Sequence, residues 1–286
     1  MTSINKKLTR IDENISNLKN ILEIPQDTEI EAIEKKLQPE KGIIITECND
    51  NGFPSKIKMY GWKDYIPSYF FGMNMNEDRV MSRITDIYFE NCSFTSIFRE
   101  AFSFCSELES LHNLPDSIIT IDDKAFRSCN ALKLDRLPSQ LSGTLGAQAF
   151  YTCENITIKT LPDGVTRLSN GTFGFCTSIT QLSMKNVSYI AGSNPSGAST
   201  FYVCTGLKSL WLGSALQINN LERYAFAQCQ NLSKIFIDLP RATVEQTYYY
   251  NTKWDAPTTA QIICNDDEDF MTKEEFDAID WSTYTE

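Results

Sequence analysis

The chain has 286 residues and is acidic, with 37 Asp and Glu against 26 Lys and Arg and a formal net charge of -11. This charge argues against nucleic acid and anionic membranes as main partners, because both are held chiefly by basic side chains. No apolar run approaches the ~20 residues that span a bilayer, so membrane insertion is not expected.

The N-terminal segment, residues 1–41, is predicted to be helical and to associate with copies of itself. Its apolar residues step by four and three alternately, which is a heptad seam, and Pro25 ends the helix. Mixed Ile and Leu at the seam favours a homotrimer, with a dimer as the alternative and a single docked helix as the competing interpretation. The seam residues are Ile4, Leu8, Ile11, Ile15, Leu18 and Leu22. The charged start lacks a signal-peptide core, so folding in the cytoplasm of the producing cell is expected.

Residues 42–83 are predicted to form a β-hairpin that caps the N-terminal end of the domain. The GIIIT sequence is interpreted as a buried strand, NDNG as a tight turn and KIKMY as the partner strand. The aromatic-rich remainder is expected to cover the edge of the structure that follows.

Residues 84–238 contain a Phe-x-x-Cys pair six times, and successive phenylalanines are 24, 24, 23, 28 and 25 residues apart. A near-constant period in this range predicts a solenoid of about six coils, each stacking its apolar face on the next. The pairs are Phe102/Cys105, Phe126/Cys129, Phe150/Cys153, Phe173/Cys176, Phe201/Cys204 and Phe226/Cys229. The expected fold is therefore mainly β, with helical and hairpin additions at the N-terminus.

The repeat motif resembles the BspA-type leucine-rich repeat family, as in AFSFCSEL, AFRSCNAL and AFAQCQNL. Proteins of this family include adhesins, other surface proteins and structural proteins of bacteriophages. The flanking EIEAIEKKL, GFPSKIKMYGW and WDAPTTAQIICND sequences are similar to those of phage tail and other virion proteins. The resemblance implies a virion component assembled in the host cytoplasm, with other virion proteins among its partners.

Residues 239–286 are predicted to form a small α+β C-terminal cap. TVEQTYYYN suggests a helix or turn, AQIIC a closing strand, and Thr272 with Glu275 caps a short helix that ends near Trp281. The acidic run NDDEDF lacks the glycine at the sixth loop position and the properly spaced glutamate of a calcium-binding loop, and it is interpreted as a helix start.

The sequence offers no pattern for catalysis, a cofactor or a metal site. Nine cysteines occur without a CxxC pair and with a single histidine, His112, so a zinc site is poorly supplied and buried free thiols are expected. His112 lacks a patterned nucleophile and is interpreted as an exposed surface residue. We therefore expect a non-enzymatic protein.

Binding is expected on the outward side chains between the inward leucines of each repeat, which stack into columns. Asp135, Lys159, Trp211 and Phe236 are the candidate ligand-binding residues. The two aromatic residues are expected to form an exposed apolar patch, and the alternative is that one of them packs under the C-terminal cap. The stretched repeat adds a second candidate, the Gly- and Ser-rich loop at residues 191–200, which is either a recognition loop or a tolerated insertion.

The sequence thus predicts a structural and binding protein of a tail, baseplate or head fibre that contacts a host glycan or protein. A bacterial surface adhesin is the first alternative and a glycan-cleaving fibre the second.

Overall fold

A computed structural model describes residues 41–72, 83–193, 199–248 and 252–283. The chain divides into two compact units, Met1–Lys41 and Gly42–Glu286. The predicted N-terminal helix and its heptad residues lie outside the described ranges. Within those ranges, no helix is long and apolar enough to cross a bilayer.

The second unit is built mainly from short β-strands. In chain order they are β1 Gly42–Cys48, β2 Pro54–Tyr60, β3 Tyr65–Ile66, β4 Asp86–Glu90, β5 Ser96–Ile97, β6 Ser110–His112, β7 Thr120–Ile121, β8 Ser142–Leu145, β9 Gly164–Leu168, β10 Gln181–Met184, β11 Tyr189–Ile190, β12 Ser209–Leu212, β13 Lys234–Ile237 and β14 Gln261–Cys264. Two α-helices near the C-terminus are α1 Arg241–Tyr248 and α2 Lys273–Ala278.

Strands β1 and β2 form the expected antiparallel hairpin. Asn49 organises its turn, because the side-chain oxygen accepts hydrogen bonds from the amides of Asn51 and Phe53. Gly52 follows at a φ of +76°, a conformation that glycine adopts without steric cost.

The prediction that the first strand is buried is wrong. Ile43, Ile44 and Ile45 of β1 are 36%, 44% and 40% exposed. The reason is that β1 forms the outer edge of its sheet, beyond the first coil, whereas Ile57 and Met59 of β2 point into the core.

From β2 onward the strands pair in parallel from coil to coil, as a stacked solenoid requires. The sheets β1-β2-β4-β6 and β10-β12-β13-β14 form what we call the front face. Two coils between them supply extended segments, joined by hydrogen bonds from the amides of Lys133 to Glu109 and of Thr157 to Leu134. The sheets β3-β5-β7 and β8-β9-β11 form the back face.

A continuous stack of phenylalanine rings runs through the core. Consecutive ring centroids are 4.9 to 5.8 Å apart and each pair is stacked. The rings belong to Phe71, Phe102, Phe126, Phe150, Phe173, Phe201 and Phe226. The predicted mainly β solenoid is confirmed, with seven coils instead of about six. The Phe-x-x-Cys pattern did not detect the coil of Phe71, because the residue three positions after Phe71 is Asn74 and not a cysteine.

The repeat cysteines form a second ladder beside the rings. Each buried thiol donates a hydrogen bond to the carbonyl of the phenylalanine one coil earlier, with Sγ to O distances of 2.9 to 3.5 Å. A cysteine at this position therefore fills a small apolar space and also satisfies a backbone acceptor. All nine cysteines are free thiols.

The corner that follows each repeat phenylalanine has an unusual backbone. The residue two positions after the ring has a φ of 57° to 63° in all six Phe-x-x-Cys repeats, although none of these residues is glycine. In five of these corners its amide donates to a carbonyl of the next coil, as Thr152 does to Gly174 at 2.7 Å. The left-handed conformation thus turns the chain while it continues the ladder of hydrogen bonds.

The C-terminal segment, residues 241–283, closes the far end of the stack. Strand β14 pairs in parallel with β13, and Trp254 is fully buried and accepts a hydrogen bond from the amide of Phe226. Helix α2 begins with the predicted capping box of Thr272 and Glu275 and ends at Ala278. The predicted helix or turn and closing strand are α1 and β14.

Candidate functional site

The front face is divided into a covered half and an open half. In the covered half, Trp211, Phe236 and Ile263 stand side by side on β12, β13 and β14. Phe276 and Trp281 pack on this column, with ring centroids 5.8 and 6.0 Å from that of Phe236. These five side chains form a small hydrophobic cluster outside the main core.

The expectation that Trp211 and Phe236 form an exposed apolar patch is wrong. They are 5% and 1% exposed, because the C-terminal segment crosses the front face above them. Hydrogen bonds hold the segment in place: Trp211 Nε1 donates to Met271 O at 3.0 Å and Lys208 Nζ to Ser282 O at 2.8 Å. These two aromatic side chains are therefore not accessible to a ligand in this structure.

The open half of the front face carries a rigid aromatic pair. Tyr88 of β4 stands opposite His112 of β6, and the rings stack at 4.1 Å with an interplanar angle of 11°. His112 is half-buried, not simply exposed as the sequence suggested, and its Nε2 lies 2.9 Å from Asp86 Oδ1. Thr85 Oγ1 donates to the other carboxylate oxygen of Asp86 at 2.8 Å.

These contacts control the charge of Asp86. Partial burial alone would raise its pKa, but the hydrogen bonds from His112 and Thr85 hold the pKa below its ordinary value. Asp86 therefore stays ionised and fixes the orientation of the imidazole. The pair is a flat, positioned surface of the kind that contacts a ligand by stacking and hydrogen bonding.

The two remaining sequence candidates lie further along the front face, and both are exposed. Lys159 does not occupy the predicted column: Thr160 pairs with Ser183, so the register is shifted by one residue in that coil. The charge of Lys159 contributes to the lowered pKa of Asp280, after the stronger hydrogen bonds from Ser282. Lys159 thus lies beside the end of the C-terminal segment, and Asp135 lies nearer the open half.

A second surface, which the sequence interpretation missed, runs along the corner after the repeat phenylalanines. We call it the corner stripe; it consists of Phe104, Arg127, Tyr151, Phe175 and Tyr202. The Arg127 guanidinium lies between two rings, 5.6 Å from the centroid of Phe104 and 5.7 Å from that of Tyr151. Edge-to-face contacts of 5.3 and 5.4 Å then join Tyr151 to Phe175 and Phe175 to Tyr202.

The corner stripe is half-exposed and locally well fitted. Phe104 is 39% exposed, and the four other side chains are intermediate in burial. Gly174 makes room for the Tyr151 ring, since a Cβ at that position would lie 2.7 Å from two ring carbons. Large residues recur one or two positions after the repeat phenylalanine, and this pattern could have revealed the stripe.

The stretched repeat is anchored at both ends of its loop. Glu222 accepts a hydrogen bond from the amide of Gly192 at 2.8 Å, and Thr200 Oγ1 donates to Ala191 O at 2.6 Å. Both Ala191 and Thr200 are buried. Residues 194–198, which are half of the predicted recognition loop, lie outside the described ranges.

Two buried thiols of the described ranges are poorly suited to act as nucleophiles. Burial raises the pKa of the Cys105 thiol to about 12 and that of Cys264 to about 11, which disfavours the nucleophilic thiolate. Across the described ranges, no three His, Cys, Asp or Glu side chains are grouped to hold a metal ion.

The fold and its ladders define a leucine-rich-repeat solenoid. The BspA type leucine rich repeat region matches the chain in six copies, over residues 70–130, 95–194 and 193–260. The chain therefore belongs to the BspA-type leucine-rich repeat family. A comparison with curated proteins finds no match.

Three bacterial structures of leucine-rich repeat proteins are similar to this chain. The Treponema pallidum protein TpLRR is 15% identical, covering 75% of this chain and 94% of its own, with a TM-score of 0.38. A Bacteroides ovatus protein is 16% identical over 80% and 99%, with a TM-score of 0.30. A leucine rich cell surface protein of Faecalibacterium prausnitzii is 16% identical over 81% and 83%, with a TM-score of 0.33.

Proposed function

We propose that this protein is a non-enzymatic attachment subunit that presents a rigid repeat surface to a large ligand, with a bacteriophage particle as its setting. The observation that carries the proposal is the unbroken stack of seven phenylalanines, which maintains one extended surface over every coil. An extended surface suits a protein or a host-surface glycan better than it suits a small substrate.

The ligand-binding face in this proposal is the open half of the front face. It offers the stacked Tyr88 and His112 rings, the ionised Asp86 and the exposed Asp135. Lys58 pairs with Glu90 at 2.8 Å on the same face, so cationic and anionic groups alternate around the aromatic pair. Such a mixture matches the polar, partly aromatic character of recognition surfaces.

Cell-binding measurements test the choice of face. Fluorescently labelled full-length protein is expected to adhere to host cells, and Tyr88→Ala is expected to weaken adhesion by about tenfold, as loss of an aromatic anchor does. Tyr65→Ala is the matched control, because Tyr65 is 44% exposed on the back face. If both variants adhered as strongly as the wild type, the front face would not be the ligand-binding face.

Attachment is proposed to work through avidity. The heptad seam from Ile4 to Leu22 joins copies, with a trimer favoured, so that several weak contacts act together. Light scattering of the full chain and of a variant lacking residues 1–25 tests this step. A trimer that becomes a monomer on truncation supports it, whereas a monomer in both cases removes the avidity mechanism.

The phage setting is proposed from the flanking sequences and has a separate test. Gold-labelled antibodies against the purified protein should decorate phage particles released from lysed cells. If the antibodies decorated intact bacterial cells and did not bind to phage particles, the alternative, a bacterial surface adhesin, would be established instead.

A further inference from the structure

The corner stripe contains a cation that the protein itself does not neutralise. Arg127 makes two cation–π contacts, and within the described ranges it takes part in none of the ion pairs. Its Nε is buried and has no hydrogen-bond partner there. The side chain as a whole is only partly buried, so a carboxylate at the surface can pair with the guanidinium.

Two acids on the adjacent coils are engaged with other side chains. Glu154, three residues beyond Tyr151, accepts a hydrogen bond from Asn130 Nδ2 at 2.9 Å. Glu100 pairs with Arg99 at 3.3 Å and with Lys124 at 3.5 Å.

The groups beside Arg127 define what it could bind. The rings of Phe104 and Tyr151 flank the guanidinium on successive coils, and further rings continue the stripe on the next two coils. At ~4.8 Å per coil, the stripe is roughly 20 Å long. Partly exposed aromatic rings stack on the apolar C–H face of a pyranose, and a guanidinium pairs with a carboxylate through two parallel hydrogen bonds.

We propose that the corner stripe is a second binding site, separate from the front face, for an acidic glycan whose sugar rings carry carboxylates. The carboxylate of one sugar pairs with the partly exposed guanidinium of Arg127. Sugar rings on either side lie along Phe104 and Tyr151, and the next residues of the chain follow Phe175 and Tyr202. Arg127 gives the charge selectivity, and the rings give the contact area.

Ligand-observed saturation-transfer NMR on the full-length protein tests the site. The probes are trigalacturonic acid and 3′-sialyllactose, each compared with its methyl ester, so that each acid has a partner without the charge. At least one acidic probe is expected to bind, and its uncharged partner about tenfold more weakly, because a hydrogen bond to a charged group is lost.

Variants assign the binding to the stripe. Arg127→Gln is expected to reduce binding of the acidic probe to the level of its uncharged partner. Gly174→Ala is expected to reduce binding of the acidic probe because the added methyl group displaces the Tyr151 ring. Arg136→Gln is the matched control, since Arg136 is 66% exposed and already pairs with Asp116. Tyr88→Ala separates this site from the front face and is expected to leave probe binding unchanged.

Three results would overturn the proposal. They are equal binding of an acid and its uncharged partner, unchanged binding by a folded Arg127→Gln variant, and no binding of either acidic probe to the wild type. Circular dichroism establishes that each variant is folded before its binding is compared.

Discussion

Each repeat depends on one aromatic ring and one thiol that meet the same neighbours in every coil. Phe150 stacks between Phe126 and Phe173, and Cys153 donates to the Phe126 carbonyl at 3.0 Å. A ring in this position contacts a ring on each side, so no neighbouring group can easily fill its space. The Phe-x-x-Cys motif therefore recurs because every coil needs the same ring and thiol to pack against its neighbours.

Removal of a central ring should destabilise the protein strongly. Phe150→Ala is expected to lower the free energy of unfolding by about 3–5 kcal/mol, because it leaves a cavity in a closed stack. Urea denaturation followed by circular dichroism measures the change. Phe104→Ala is the control, since Phe104 is 39% exposed and should cost less than about 1 kcal/mol. Equal losses for the two variants would contradict the role of the stack.

A substitution at the corner that follows a repeat phenylalanine is expected to stabilise the protein. Thr152 has a φ of +62°, which costs a branched residue about 1–2 kcal/mol and glycine almost nothing. After the entropy that glycine adds to the unfolded chain, Thr152→Gly is expected to stabilise the protein by about 0.5–1 kcal/mol. The matched control is Thr157→Gly, because Thr157 is exposed and lacks a positive φ, and it should destabilise. A lower melting temperature for Thr152→Gly would contradict the argument.

At the scale of the elements, the thiol ladder separates the cysteines into two groups. The six repeat thiols are buried and held by carbonyls, whereas Cys48 on the edge strand β1 is exposed and Cys92 is half-buried. Burial raises the pKa of the Cys129 and Cys176 thiols, and this suppresses their reactive thiolates at neutral pH.

Thiol labelling of the native protein tests this separation. Cys48 is expected to react rapidly with a maleimide and Cys92 more slowly, while the repeat thiols react only after unfolding. Mass spectrometry counts the labels with time. Cys48→Ser should remove the rapid phase alone. Rapid labelling of any of the six repeat thiols in the native protein would contradict the ladder.

The strands and coils also show which features of the fold could be predicted from the sequence. Phe-x-x-Cys predicted the coils because each coil repeats the same contact with the next. The predicted register at Lys159 was wrong, because a local shift by one residue places Thr160 opposite Ser183. The Phe-x-x-Cys spacing does not reveal this shift. The edge position of β1 was also missed, since an exposed Ile44 and a buried isoleucine look alike in sequence.

The candidate site was harder to predict than the fold, because its surfaces depend on contacts distant in sequence. Trp211 is covered by a segment some 60 residues later, through its bond to Met271. The corner stripe combines residues that do not recur as one type, with Arg127 between the rings of Phe104 and Tyr151. Only their positions relative to the repeat phenylalanine are shared.

At the scale of the described unit, most contacts join adjacent coils, as in other solenoids. The C-terminal segment is an exception, because it links coils that are not neighbours. The amide of Trp281 donates to Gln181 on β10 at 3.4 Å, and its ring packs near Phe236 on β13. Unfolding of the last coils should therefore be more cooperative than unfolding of the first.

Hydrogen exchange of a Trp281→Ala variant tests this long-range link. Loss of a fully buried tryptophan is expected to cost about 3–5 kcal/mol locally. Exchange should then accelerate in β10, β12 and β13, and stay unchanged in β4 and β6, whose coils the segment does not contact. Tyr65→Ala is the control and should affect only β3 and β5, where Tyr65 stacks on Phe98. A uniform acceleration over all coils in Trp281→Ala would mean that the stack unfolds as one unit, and the C-terminal segment would then stabilise the whole solenoid equally.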